Sequence, residues 1–300
     1  MILRRVRALP KRVLDVINGY LFLLPNITGF LVFTFIPILY SFGLSFTQWE
    51  ILTPPRFVGL ENFIALMKDH YFWYYFKNTL IFMLEVPIGM AVSLGLALAM
   101  NQQLKGIVIF RTIYFLPVVS NLVAVAMVWR WIYNPDFGLL NAFLKSIGIL
   151  HPPNWLSSPA WAKPAIIIMD VWKGAGYNML LYLAALQGIP KTLYEAAEVD
   201  GASGWHKFWY ITLPMLAPTN FFIFVMGIIG GFQAFGAQYV MTQGGPAGST
   251  TTIVYYIFLN AFQWFKMGYA SAIAWFLFLL MFLVTVLQFR FAGERATIAF

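Results

Sequence analysis

The chain reads as an all-α, polytopic membrane protein with six membrane-spanning helices and both termini on the cytoplasmic side. Three observations lead there. Of its 300 residues 61% are hydrophobic and only 10% charged, against roughly 25% charged in a water-soluble domain. The apolar residues gather into several runs of the length that crosses hydrocarbon, about 20 residues, more than one soluble core of this size can bury beneath a polar exterior. The basic residues, which give a formal net charge of +8, flank those runs and do not interleave with aromatics, a pattern that suits anionic lipid headgroups and speaks against nucleic acid as a partner. Eleven Trp and fifteen Tyr fit interfacial belts, and the absence of cysteine excludes disulfides and thiolate metal sites.

The six runs are, in order, residues 20–46, 78–99, 112–133, 164–187, 218–241 and 270–289, and together they make one transmembrane domain over residues 1–300. Arg4, Arg5, Arg7, Lys11 and Arg12 precede the first run, as in a secretory leader. Yet no charge occurs from Val16 to Trp49, far beyond the roughly 7–15 apolar residues of a leader, and no small-residue cleavage site follows, so this is the first span. Between Lys207 and Lys266 the chain is again uncharged, but the Gly/Pro/Ser/Thr cluster at 242–249 divides the stretch. Residues 251–266 then either re-enter the membrane or lie at its surface. Eleven Lys/Arg fall on the amino-terminal side of these spans and seven on the other, which places the amino-terminal side in the cytoplasm. Loops at about 47–72, 134–161 and 242–266 are then external, and those at about 101–111 and 188–217 cytoplasmic. Within the second external loop, 136–148 reads as a short amphipathic helix that either meets an external protein or rests on lipid.

The loop at 188–217 carries the most chemistry. Pro190 ends the fourth span; Thr192 with Glu195 three residues on forms a capping box, predicting a short helix from Thr192 to about Val199. Gly201 permits a sharp turn, Ser203 caps a second short helix bearing Trp205, Phe208 and Trp209, and Pro214 precedes the fifth span. Leu193, Ala196 and Ala197 share a helix face whose small side chains let another surface approach closely. The result is a compact knob shaped for docking.

This segment resembles the EAA loop of permease subunits in ATP-binding-cassette importers, with the pattern E-A-A, three residues, G, nine residues, I-x-L-P. Glu195-Ala196-Ala197, Gly201 and Ile211-Thr212-Leu213-Pro214 keep every spacing. Further likeness to the carbohydrate branch, which includes maltose-type and glycerol-3-phosphate-type importers, lies in Phe57-Val58-Gly59-Leu60-Glu61-Asn62-Phe63, Asn78-Thr79-Leu80, Leu116-Pro117, Gly244-Gly245-Pro246 with Ser249-Thr250, and Gly268-Tyr269-Ala270-Ser271-Ala272. Unlike the maltose-type members, the chain has only the six-helix core. The resemblance implies a bacterial or archaeal cell membrane and four kinds of neighbour: a second, similar permease, two ATPase subunits, an external substrate-binding protein, and membrane lipid. It also implies that Glu195, Ala196, Ala197 and Gly201 form the contact with the ATPase. A purely local role remains open, with Glu195 capping its helix and the alanines packing beside it.

Ionisable residues inside spans are costly and face a cavity or a partner. Glu85, Asp170 and Lys173 are the candidates. Asp170, Lys173, Gly174 and Tyr177 fall at i, i+3, i+4 and i+7, a polar stripe offering an acceptor, a donor and a ring to a hydroxyl-rich ligand. Trp172-x-Gly174-x-x-Tyr177 also resembles the stretch of maltose-type permeases that touches the sugar. Alternatively, Asp170 and Lys173 neutralise each other while Tyr177 packs. Gly227, Gly230 and Gly231 near Gln233 serve close helix packing or cavity volume, and Glu85 serves a helix contact, gating or substrate.

No phosphate loop of the G-x-x-x-x-G-K-[ST] type occurs, so ATP hydrolysis belongs to partner subunits and the chain is not itself an enzyme. His70, His151 and His206 lie in separate loops without zinc spacing, and neither a metal nor a cofactor is implied. The sequence thus favours importing a neutral oligosaccharide, because Asp170 accompanies Lys173 where a phosphate ester favours added cations. The alternatives are a glycerol-3-phosphate or phosphodiester permease, and an ion-coupled secondary transporter, which leaves the knob without a purpose.

Overall fold

The computed structural model describes residues 11–102 and 105–297; Arg4, Arg5 and Arg7 of the amino-terminal basic cluster lie outside them. Helix α1 (Lys11–Phe30) passes through a π turn (Leu31–Phe35) into α2 (Ile36–Leu44). The wide turn falls just ahead of Pro37 at the start of α2, where a proline ring and a missing N–H disturb a regular helix. None of residues 14–44 is buried, so this helix, apolar on every side, turns most of its surface outward as lipid contact requires, and near its end Phe42 packs on Trp275.

A two-residue ribbon follows, β1 (Thr47–Gln48) antiparallel to β2 (Arg56–Phe57). Next come α3 (Glu61–Lys68), α4 (His70–Phe82) and α5 (Glu85–Met100). Asp69 begins α4: its carboxylate accepts the Tyr71 N–H at 2.9 Å, satisfying a donor that a helix start leaves free. The same carboxylate accepts the Tyr256 and Tyr269 hydroxyls at 2.6 Å each.

The predicted span at 112–133 is two helices, α6 (Ile107–Val119) and α7 (Leu122–Ile132), which meet at 102°. Side chains close the elbow: Ser120 Oγ donates to the Leu116 carbonyl and Asn121 Oδ1 accepts the Val123 N–H. Helix α8 (Leu139–Ser146) sits within the predicted amphipathic segment and buries Asn141, which accepts the Trp155 indole N–H at 2.7 Å. Helix α9 (Pro159–Gly188) is 30 residues long. The knob comprises α10 (Lys191–Val199), α11 (Gly204–Lys207), a π turn (Phe208–Thr212) and α12 (Leu213–Met215). It leads into α13 (Ala217–Phe232), which is bent by 63° from the knob helix. Helix α14 (Gly236–Thr242) is separate from α13, splitting the predicted span at 218–241. Last come α15 (Ile253–Phe258), a π turn (Leu259–Gln263) and α16 (Met267–Thr297).

Among the described residues, 14–44, 70–100 and 267–290 are single helices long and apolar enough to cross a membrane, and the two bent pairs raise the number to five. Helix α9 has the length but not the apolarity, because Asp170 and Lys173 sit near its middle. It is instead the helix around which α5, α6, α13 and α14 pack. Ala165, Ile166, Ile167 and Met169 join Val125, Tyr133 and Met241 in one apolar cluster, while Met179, Tyr182, Leu183 and Leu186 join Ala97, Leu216 and Ile223 in another. Between α9 and α6 the backbones nearly touch: a Cβ on Gly176 would overlap the Tyr114 carbonyl oxygen. A third cluster joins Phe72 and Leu66 to Phe232, Ile253 and Ile273.

Two motifs far apart in sequence form a polar clamp beside this third cluster. Asn78 Nδ2 donates to the Gly248 and Thr251 carbonyls at 2.9 and 3.0 Å, and Thr79 Oγ1 accepts the Ile253 N–H at 3.0 Å. Within the loop, Thr250 Oγ1 donates to the Gly245 carbonyl and Thr252 Oγ1 to that of Ala234. Asn78, Thr79, Thr250 and Thr252 are all buried, so each hydrogen bond replaces water that cannot reach it.

Asn78→Ala leaves the buried Thr251 carbonyl unpaired, while that of Gly248 keeps the Thr251 N–H, and is expected to lower stability by about 1–3 kcal/mol, read as a lower melting temperature of the detergent-solubilised protein. Burial raises the Asp69 carboxyl, but the bonds from Tyr256, Tyr269 and the Tyr71 N–H outweigh it and leave it below the usual carboxylate range. A carboxyl lowered by folding stabilises above its unfolded value and loses that contribution as pH falls through the folded one. Stability should therefore drop on acidification below the ordinary carboxylate range, and Asp69→Asn should flatten that part of a melting-temperature profile.

Candidate functional site

Two features meet along α9. The first is a cavity of about 430 Å³ walled by α5, α9, α13 and α14, with Val118 and Leu122 from the α6–α7 elbow. On α9 it occupies the stretch from Asp170 to Asn178, between the two apolar clusters. Asp170, Lys173 and Gly174 all line it, and Glu85 faces the same space from the first turn of α5. Tyr177 does not line it; this ring is 51% exposed on the outside of the helix.

Asp170 and Lys173 are not an ion pair, since no carboxylate oxygen lies within 4.0 Å of the ammonium. Lys173 Nζ instead donates to the Val118 carbonyl at 3.4 Å, at the last turn of α6, where the carbonyls lack helical partners. The glycines divide their work. A Cβ on Gly227 would meet Val86 at 2.7 Å and one on Gly231 would meet Met83 at 3.2 Å, so these pack α13 against α5 and the turn just before it; Gly174 and Gly230 face open space in the cavity wall.

Carboxamides supply the rest of the polar wall, from Asn178, Gln233 and Gln238. Sequence reasoning passes over Asn178 and Gln238, because a neutral amide inside an apolar run stands out less than a charge. The available signal is Gln238 itself, a strong hydrogen-bonding group between Ala237 and the apolar Val240-Met241. With two carboxyls, one ammonium and three carboxamides around a space of this size, the wall can both donate to and accept from a hydroxyl-rich molecule.

The second feature is the knob, two residues beyond the end of α9. Helix α10 begins at Lys191 with Pro190 before it, and no side chain caps it. The capping box of Thr192 and Glu195 therefore does not form: Thr192 already lies inside the first turn, where its hydroxyl is not at the capping position. Ser203 does cap α11, accepting the His206 N–H. Gly201 has φ +78°, and Ala202 N–H returns to the Ala197 carbonyl at 2.8 Å, so the turn needs the left-handed residue at this position. Lys207 and Glu198 pair at 2.7 Å across the turn, and Tyr194 bonds Thr212 at 2.9 Å. These ties make the knob one piece.

Its outer surface has no such ties. Helix α10 buries none of its residues, and Glu195 and Ala196 are exposed. Val199, Trp205 and Tyr210 are exposed as well, more apolar surface than a polar connecting loop presents without a partner.

Comparison with known proteins draws both features together. Residues 91–294, which include the knob and all of the cavity wall except that on α5, match the family described as the binding-protein-dependent transport system inner membrane component. The chain belongs to this family. As a permease of this type it is a multi-pass protein of the cell membrane, and similar proteins match it almost end to end. The lactose transport system permease protein LacF of Rhizobium radiobacter is 40% identical over 95% of the chain and 97% of that protein. The sn-glycerol-3-phosphate transport system permease protein UgpA of Yersinia enterocolitica is 38% identical over 80% of the chain and 81% of that protein. Among solved structures, a bacterial transporter involved in import of the acidic polysaccharide alginate superposes with a TM-score of 0.82 at 28% identity, over 95% of this permease and 98% of that chain.

The backbone contact that sets the cavity wall can be probed within one helical turn. Gly176→Ala should cost about 1–3 kcal/mol by forcing α9 from α6, whereas Gly174→Ala, which meets nothing within 4 Å, should leave the melting temperature unchanged or raised.

Proposed function

We propose that this permease is one of two paired membrane subunits of an ATP-driven importer that carries a neutral oligosaccharide into the cell. Six spans, with both termini and the knob in the cytoplasm, form its half of the pathway; the fourth of them is α9, whose ionisable groups a membrane tolerates because they face the cavity. Two ATPase subunits bind from the cytoplasm, an external binding protein delivers the sugar, and a second permease completes the cavity. Tyr177, outside the wall formed by this chain alone, then faces the completed pathway together with Asp170, Lys173 and Gly174.

The observation that carries this reading is the continuity of α9, whose middle walls the cavity and whose end joins the knob through only Ile189 and Pro190. A push on the knob is transmitted to the wall because both belong to rigid, packed elements. Glu195, Ala196, Ala197 and Gly201 form the contact with the ATPase, the alanines admitting its surface and Glu195 meeting a basic group there. ATP-driven closure of the ATPases then rocks the helices, and the cavity opens first outward and then inward. The family match and the end-to-end likeness to permeases of lactose and glycerol-3-phosphate systems support the importer reading. The pair of carboxyls beside a single ammonium supports a neutral cargo over a phosphate ester.

Gly201→Trp imposes the left-handed conformation on a bulky residue at about 1–2 kcal/mol, which disfavours the docked geometry. Sugar uptake should fall by about tenfold while ATP hydrolysis by the complex continues. Uptake at the normal rate counts against the coupling role. In a second test, replacing residues 192–210 by a flexible linker should abolish co-purification of the ATPase with the permease.

A further inference from the structure

Gln238 is 1% exposed, and both its Nε2 and Oε1 lack a hydrogen-bond partner. Among the described residues no other side chain leaves two buried polar atoms unpaired. A carboxamide offers two donors and an acceptor, and burying it unpaired is unfavourable. The cost is not the by-product of a structural bond made elsewhere by this side chain. Structural work at this position belongs to its backbone: the Gln238 carbonyl accepts the Thr242 hydroxyl at 2.9 Å and the Gly244 N–H at 3.4 Å. Helix α14 is further fixed at Gly236, where a Cβ would meet Leu122 at 2.7 Å. Gln238 is thus held on a rigid element that lines the cavity, with its amide closed off from water behind that wall and its bonding capacity unused.

We propose that Gln238 is a specificity-determining residue, whose amide takes a hydroxyl pair of a neutral sugar as partner when the cavity is loaded and so favours the loaded conformation over the empty one. The inference rests on the importer reading above and deepens it. A sugar with neighbouring hydroxyls presents a donor and an acceptor together, matching both ends of the amide. The wall reinforces the choice of a neutral molecule, because Lys173 is the one basic side chain lining it and is engaged by the Val118 carbonyl. Among the relatives are systems whose cargoes are described as lactose, a phosphate ester and an acidic polysaccharide, so charge is a dimension along which such cavities differ. The empty conformation bears the unpaired amide, and cargo removes that penalty, which ties occupancy to the conformational equilibrium.

The test uses the complete importer, with its second permease, ATPases and binding protein, in proteoliposomes. The probes are lactose, maltose and trehalose, together with sn-glycerol-3-phosphate and an alginate trisaccharide. Wild type should take up at least one of the three neutral disaccharides and neither anion. Gln238→Leu, and Gln238→Met as a second variant of similar volume, should raise the KM for that sugar about tenfold with kcat little changed. Both variants should melt at the same temperature as wild type or higher when no sugar is present, because an unpaired amide has been removed. An unchanged KM, or a lowered melting temperature, assigns the amide a structural bond and overturns its role. Uptake of an anion in preference to every disaccharide overturns the neutral class. Uptake of none of the five overturns the importer reading itself, and this outcome is distinguishable from a Gln238 variant that transports as wild type does.

Discussion

The structure depends on how closely α9 and α6 approach at Gly176. With no side chain there, the Tyr114 carbonyl fills the space a Cβ would occupy, and the two helices are locked at backbone distance. That contact carries α6 alongside α9 to the elbow, where the last carbonyls of α6 receive Lys173. It leaves the opposite side of α9 free to wall the cavity. The same helix then carries an apolar cluster at each end, so the polar stretch between them is supported from both sides. Function is placed where packing is interrupted, and the interruption is narrow enough that the helix remains one rod.

Rigidity is distributed in the same manner at both ends of the molecule. The knob is tied internally by a left-handed glycine, a serine cap and an ion pair, while its outer face is untied and apolar. At the other end, Asn78 and Thr79 bind the loop after α14 to α4, and the hydroxyls of Thr250, Thr251 and Thr252 tie that loop to itself and to the residues just before and within α14. Polar groups here act as structural joints inside an apolar protein, where each satisfied bond fixes one geometry and each alternative strands a donor or acceptor.

Local chemistry was legible in the sequence and long-range chemistry was not. Gly201 and Ser203 act as their residue types demand, since a turn and a cap involve only near neighbours. Thr192 fails as a cap because the cap position falls on Pro190, two residues earlier, a shift that composition does not encode. The long apolar runs announced membrane helices, but hydropathy averages over the elbow at Ser120-Asn121, where two polar residues satisfy the broken backbone without lowering the apolar count much. The motifs Asn78-Thr79 and Gly248–Thr252 were both visible, yet their meeting across about 170 residues is a fact of folding, not of either motif. In the cavity the charges of Asp170 and Lys173 drew notice, while Gln238, buried and neutral, became conspicuous only once its missing partners were seen.

The low apolarity of α9 has a consequence for biogenesis. A segment that presents Asp170, Lys173 and Asn178 to lipid is a poor substrate for insertion, each central charge costing about 2.5–3.5 kcal/mol at the translocon. Its neighbours in the finished fold include α5 and α6, synthesised before it, and α13, synthesised after it. For α9 to cross the bilayer, the earlier helices would have to shelter it as it emerges, so that its insertion would depend on its neighbours and not on its own hydropathy.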